Sequence, residues 1–195
     1  MGREFSRKQQ IDSIRFWMDQ AISSMQETEA MIVDISFNFG GFDAAALAIA
    51  GYFPSEPVFA FQNQVFYQGN FYVEDQTVVY PSSNLSYSRP VYVLMSDISR
   101  SAAEGFAMMM ASMPHVTLVG TPTLGTLSGM LGKSVSDFYT TCSNQRLVNT
   151  EGKHFEGIGV QPEIEIELFP RGNVMRGHME AVRTISRIAK EKNSI

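Results

Sequence analysis

An apolar strand that turns into an apolar helix through a serine is the feature that most constrains this chain. Residues 91–94 are apolar or aromatic, and residues 95–100 lead from them into a long apolar helix that begins near Ser101. Free backbone N–H groups and the positive end of the helix dipole favour negative charge at such a junction. An alkoxide or an oxyanion therefore costs less at Ser101 than in the middle of a helix or strand, which makes this serine a candidate nucleophile.

A helix cap is the alternative interpretation of the same residues. Glu104 follows Ser101 by three positions, which is the spacing of a capping box. Most Ser-x-x-Glu patterns are only caps, and short motifs have a high false-positive rate. A catalytic interpretation therefore needs a second element.

A pair of glycines after the strand predicted at residues 31–35 provides that element. Gly40 and Gly41 allow the backbone to approach a ligand closely. A glycine N–H just past the strand end and the N–H of Ala102 could form the two-donor oxyanion hole that a tetrahedral intermediate requires. A tight strand-to-helix turn would also explain the two glycines.

Four motifs in order resemble a known family over nearly the whole chain: the C-terminal processing (tail-specific) and tricorn-like serine peptidases. The four motifs in this order identify the family more specifically than any single motif does. The motifs are residues 34–41, the segment Ser101-Ala102-Ala103-Glu104, residues 116–125 and residues 155–164.

The resemblance implies a serine endopeptidase that acts on peptides or proteins and uses neither a cofactor nor a metal. Ser101 stands three positions before a glutamate, as the family's nucleophile does. Ala102 and either Gly40 or Gly41 would then supply the amides of the oxyanion hole.

The general base separates the two branches of the family. The tail-specific branch uses a lysine after a phenylalanine-glycine pair, whereas this chain has Thr126 after Leu124 and Gly125. The chain therefore resembles the tricorn-like branch more than the tail-specific one. The tricorn-like branch uses a histidine on an early strand together with a glutamate. Glu156 fits the position of that glutamate.

The expected histidine is missing, since no histidine precedes His115. The abrupt start in a helix favours a catalytic core truncated at its N-terminus; the alternative is a degenerate member that never had the histidine. A substituted base is a third explanation, with Lys133, His115 or His154 near Ser101. A catalytically inactive peptide-binding relative would also explain the missing base, whereas nothing specific indicates a crotonase-like acyl-group enzyme.

Composition bounds the remaining classes of function. The chain has 195 residues, 44% hydrophobic and 18% charged, which predicts one globular domain over residues 1–195. A net charge of −5 argues against nucleic-acid binding. A single cysteine, Cys142, and three histidines argue against a metal cluster. No apolar stretch reaches the ~20 residues of a membrane span. By resemblance, a homo-oligomer and a periplasmic or envelope location are expected.

Alternating helical and strand patterns predict an α/β domain. The resemblance implies the layered spiral β-β-α arrangement of the Clp peptidase and crotonase folds. Gly132-Lys133-Ser134 matches the tail of a phosphate-binding loop, but Leu127 stands where its first glycine is required, so no nucleotide is expected. Helices are predicted at residues 11–25, 43–52, 101–113 and 173–190, and strands at residues 31–35, 58–67, 71–80, 91–95, 116–119, 134–141 and 164–168, with a glycine-threonine loop at 120–132.

Overall fold

The computed structural model describes residues 6–82, 85–169 and 174–192. Within them the chain alternates between helices and strands. The helices are α1 (Arg7–Met25), α2 (Asp43–Ala50), α3 (Ala102–Ala111) and α4 (Val174–Lys192). The strands are β1 (Met31–Asp34), β2 (Val58–Tyr67), β3 (Asn70–Val79), β4 (Val91–Met95), β5 (Val116–Gly120), β6 (Met130–Val135), β7 (Phe138–Ser143), β8 (Gln145–Asn149) and β9 (Ile164–Glu165).

A parallel sheet of order β1-β4-β5-β9 forms the centre of the fold. All five residues of β4 are buried, as expected for a central parallel strand that is covered on both faces. The sheet and its helices confirm the prediction of a mixed α/β fold. Because the carboxyl ends of parallel strands meet at one edge, the turns after β1 and β4 lie side by side.

An antiparallel sheet of order β3-β2-β8 lies on the other side of α3. The strands predicted at residues 58–67 and 71–80 correspond to β2 and β3, which form a hairpin around a turn at Gln68 and Gly69, both with positive φ. Eight of the ten residues of α3 are buried, including Phe106 and three methionines. A helix that is apolar on most of its circumference is typically buried, and the three methionines are core residues here.

The closing helix α4 packs on the opposite face of the parallel sheet. Ile185 is fully buried against Tyr92 and Leu94, and Val182 and Ile188 are partly buried beside it. The predicted start at residue 173 lies outside the described residues.

The prediction was wrong for the region after residue 130. The single strand predicted at residues 134–141 is two strands, β6 and β7, that turn at Ser136, where φ is 54°. The next strand, β8, was missed; it pairs with β2 and not with its sequence neighbours. Only the first two residues of the predicted strand 164–168 form a strand. Cys142 lies near the end of β7 and is exposed. Among the described residues, no helix is long and apolar enough to cross a membrane.

Candidate active site

The turns that follow β1 and β4 are fastened to each other by buried serines. Ser96 Oγ donates to the carbonyl oxygen of Ser36 at 2.5 Å, and Ser99 Oγ donates to that of Ile35 at 2.8 Å. Ser96 and Ser99 have no exposed surface. These bonds fix the segment that leads to Ser101 against the segment that leads to the two glycines.

Ser101 lies on the turn between β4 and α3 in a strained backbone conformation. Its φ is 57° and its ψ is −126°, values that residues with a side chain rarely adopt. Strain of this kind costs about 1–3 kcal/mol and persists only where the surroundings impose it. A strained strand-to-helix turn that exposes a serine is the geometry of a nucleophile elbow, and Ser101 is exposed here while Ala102 is buried.

Glu104 explains how this turn is held. The carboxylate is fully buried and accepts the N–H of Ser101 at 2.9 Å, the half of the predicted capping box in which the glutamate reaches back. It also accepts the Thr123 hydroxyl and the Gly125 N–H, each at 2.6 Å, and the Thr126 N–H at 2.8 Å. Glu104 is therefore more than a cap, because it ties the start of α3 to the loop that follows β5.

Gly40 packs directly on Ser101. Its φ is 85°, and a Cβ atom added there would lie 2.6 Å from the Cβ of Ser101. Its N–H already donates to Oδ1 of Asn38 at 2.9 Å. Among the described residues, the N–H groups of Gly41 and Ala102 donate no hydrogen bond. Of the two glycines left open by the sequence, Gly41 is thus the one whose donor is free.

Glu156 contacts the loop at residues 121–129. Its Oε2 accepts the N–H groups of Leu127 and Ser128, both at 2.8 Å. These two residues belong to the wall of the cleft in which Ser101 lies. Among the described residues, the Glu156 carboxylate accepts these two hydrogen bonds and so stabilises the wall of the cleft. Its predicted role in orienting a base stays a prediction.

The cleft around Ser101 has a volume of about 450 Å³. Its described lining residues include no lysine, arginine or histidine, and the titratable ones are Asp43 and Asp75. A smaller cavity of about 320 Å³ lies on the other side of Ala102. Its lining is mainly apolar and includes Phe42, Ile49 and Phe106.

None of the three proposed substitute bases lines the Ser101 cleft. His115 follows α3, its Nε2 is buried without a partner among the described residues, and burial lowers its pKa. His154 is exposed and forms a β-bridge with Val148. Lys133 is exposed on β6. Thr126, which stands where the tail-specific branch has lysine, donates from its N–H and its hydroxyl to Glu104.

Two carboxylates of the cleft were not found from the sequence. Asp43 is the first residue of α2, and Asp75 lies on β3 opposite Asn63 of β2. Aspartates at a helix start or in an exposed strand have no distinctive local pattern. The pairing register of β2 and β3, together with the placement of α2, brings the two to one cleft.

A second contact missed by the sequence links α4 to the end of β1. His178 Nε2 lies 2.6 Å from Oδ2 of Asp34, whose Oδ1 accepts the N–H and the hydroxyl of Ser36. Burial alone would raise the pKa of Asp34, but the hydrogen bonds from Ser36 and His178 outweigh it and hold that pKa below its ordinary value. The two residues are 144 positions apart, so no local signal could pair them.

An exposed serine on a strained turn from a parallel strand to a helix, with free amides beside it, defines the class of proteins that present a serine for acyl-transfer chemistry. The sequence profile of Peptidase family S41 matches residues 6–166, so the chain belongs to that family. This confirms the resemblance found in the four motifs.

Several solved structures share the fold of this chain. A candidate peptidase from Parabacteroides merdae has a TM-score of 0.80 and 21% identity, over 90% of this chain and 56% of that one. Mature CPAF has a TM-score of 0.73 and 14% identity, over 96% and 48% of the two chains. The photosystem II D1 C-terminal processing protease has a TM-score of 0.66 and 19% identity, over 91% of this chain and 43% of that one. The chain thus spans about half the length of these structures.

Proposed function

We propose that this chain is the catalytic core of a serine endopeptidase that cleaves peptides or proteins through Ser101. The observation that carries the proposal is the strained, exposed serine at the start of α3, with the backbone of Gly40 packed against it. A surface cap would need neither the strain nor the glycine. Membership of Peptidase family S41 and the fold shared with a C-terminal processing protease support the same activity.

The free N–H groups of Ala102 and Gly41 would form the oxyanion hole. Attack of Ser101 Oγ on a peptide carbonyl places negative charge on the carbonyl oxygen, and two preorganised backbone donors stabilise it. Gly40 would contribute through its shape, since its own N–H is held by Asn38. The mainly apolar cavity beyond Ala102 would accept a substrate side chain, since Ala102 lines both that cavity and the Ser101 cleft.

The general base would come from outside the described residues of the cleft, because the lining there offers neither lysine nor histidine. Thr126 in place of the lysine of the tail-specific branch favours the tricorn-like branch, whose base is a histidine; Glu156 would orient such a histidine here. We also infer from the resemblance the layered spiral arrangement of the Clp peptidase and crotonase folds. Assembly into a homo-oligomer belongs to the same proposal.

A catalytically inactive peptide-binding relative is the second candidate function. The same cleft lining favours it, because a serine without a base within hydrogen-bond reach is not activated. Such a protein would keep the peptide cleft and the strained turn and would form no acyl-enzyme.

Hydrolysis of a fluorogenic peptide pool, followed with the wild-type protein and Ser101→Ala, separates the two candidates. Ser112→Ala is the matched control, because it removes a serine hydroxyl just after the same helix, outside the residues of the Ser101 cleft. Loss of turnover in Ser101→Ala alone supports the peptidase. Turnover retained by Ser101→Ala would contradict it, and peptide binding without turnover in any variant would favour the binding protein.

A further inference from the structure

Two carboxylates belong to the lining of the Ser101 cleft. Asp43 and Asp75 both line the cleft and both are exposed to solvent within it. The described lining holds no cationic side chain that would neutralise them. The lining of the cleft is therefore negative. The cavity beyond Ala102 is mainly apolar, and its one carboxylate, Asp34, is paired with His178.

Glu74 is hydrogen-bonded to two polar residues of the cleft lining. Its Oε2 accepts the side-chain N–H groups of two cleft residues, Asn63 at 3.1 Å and Gln145 at 2.9 Å. Because the Nδ2 of Asn63 donates to Glu74, its Oδ1 is left as an acceptor. That oxygen is buried and has no hydrogen-bond partner among the described residues. A buried acceptor without a donor is costly, which makes it a favourable neighbour for an added donor.

The nearest cation on these strands is held on the other face of the sheet. Arg146 lies between two cleft residues of β8, and successive side chains of a strand point to opposite faces. Its Nε donates to Gln64 at 2.8 Å, and its guanidinium lies 3.8 Å from the centre of the Phe71 ring. The positive charge of Arg146 is thus directed away from Asp75.

We propose that the Ser101 cleft selects peptides that carry a lysine or arginine side chain next to the bond presented to the serine. The cation would lie against Asp43 and Asp75. This inference rests on the proposed function only in that the cleft must bind peptides. Both carboxylates are exposed, so each should contribute a modest ~1.4- to 5-fold to affinity, the range of an exposed ion pair.

The test uses labelled peptides that differ only at one residue beside the scissile position: lysine, N-acetyl-lysine or glutamate. Acetylation removes the charge and keeps the aliphatic stem, so it isolates the electrostatic contribution. Binding to Ser101→Ala is followed by fluorescence anisotropy, and cleavage by the wild-type protein is followed in parallel. We expect the lysine peptide to bind ~2- to 25-fold more tightly than the acetylated one at low ionic strength. The ratio should fall toward one at about 1 M salt, where the Debye length is about 3 Å.

Asp43→Asn and Asp75→Asn should each reduce the preference for lysine, and the double variant should abolish it. Asp12→Asn is the matched control, because it removes one exposed carboxylate of α1 outside the cleft. Equal binding of the lysine and acetyl-lysine peptides would overturn the inference while leaving the peptidase proposal intact. Absence of binding by every peptide would overturn both, whereas a lysine preference without cleavage would support the inference and contradict the peptidase.

Discussion

Gly40 and Ser101 are in such close contact that no side chain fits between them. A Cβ atom on Gly40 would lie 2.6 Å from the Cβ of Ser101 and 2.7 Å from the carbonyl oxygen of Arg100. Two turns from separate parallel strands thus meet through backbone atoms. Gly41 and Ala102, whose N–H groups donate no hydrogen bond among the described residues, line the same cavity, as the proposed oxyanion hole requires.

Gly40→Ala should therefore strongly reduce the peptide turnover proposed for Ser101. The added methyl group must displace either the serine or the glycine turn, and the positive φ adds strain of about 1–2 kcal/mol for a residue with a side chain. We expect fluorogenic peptide turnover to fall at least ~100-fold, the effect of losing one oxyanion-hole donor.

Gly69→Ala is the matched control for this substitution. Gly69 has nearly the same φ, 87° against 85°, but an added Cβ there meets no atom within 4 Å. It should show the loss of stability caused by strain, and full activity. Equal turnover in the two variants would contradict the close contact as the cause.

Replacement of Glu104 by glutamine should destabilise the whole protein. Both carboxylate oxygens accept backbone N–H groups, so an amide nitrogen at either position leaves a buried donor without an acceptor. Each such group costs about 1–3 kcal/mol. Urea unfolding should show a loss of that size for Glu104→Gln, and none for Glu27→Gln, whose side chain is 98% exposed. Unchanged stability of Glu104→Gln would show that the network does not hold the turn.

Glu156→Ala should act on the cleft wall more than on the fold. The substitution frees the N–H groups of Leu127 and Ser128, which line the Ser101 cleft. We expect the KM for a peptide to rise and the unfolding free energy to fall by about 1 kcal/mol, since Glu156 is only half-buried. Glu151→Ala, at an exposed site, is the control. A fall in kcat with unchanged KM would instead support a role in orienting a base.

The contact of Asp34 with His178 should make the unfolding free energy depend on pH in the acidic range. Because the pKa of Asp34 is lower in the folded protein than its ordinary value, its ionised form stabilises the fold above about pH 4. That contribution is lost as the pH falls through the folded-state pKa. The difference in unfolding free energy between the wild type and Asp34→Asn should therefore shrink between about pH 5 and pH 2. A difference that does not change with pH would contradict this interpretation.

Local sequence patterns were sufficient to predict the central elements of the fold. Contiguous apolar segments predict the buried strand β4 and the helix α3 with the serine between them. The conformational freedom of glycine indicates the close approach at Gly40 and Gly41. The family resemblance then joined Ser101 to Gly40 and Gly41, although they lie about 60 residues apart. Each of these predictions depended on a contiguous segment or on a known motif.

The sequence did not predict the features that depend on contacts between residues far apart in the chain. Strand β8 is short and half-buried, and it exists because β2 offers an unpaired edge more than 80 residues earlier. The five-donor environment of Glu104 could not be read from a Ser-x-x-Glu pattern, since three of its partners come from one loop after β5. The position of Asp75 in the cleft could not be predicted for the same reason, since it depends on the register in which the exposed strand β3 pairs with β2.

Labelling of Ser101 by a fluorophosphonate probe, read by intact mass, tests the central claim most directly. The account predicts one adduct per chain on the protein when its general base is present, no adduct on Ser101→Ala and an unchanged adduct on Ser112→Ala. Absence of labelling on a folded protein that still binds peptides would contradict the peptidase and leave a peptide-binding protein.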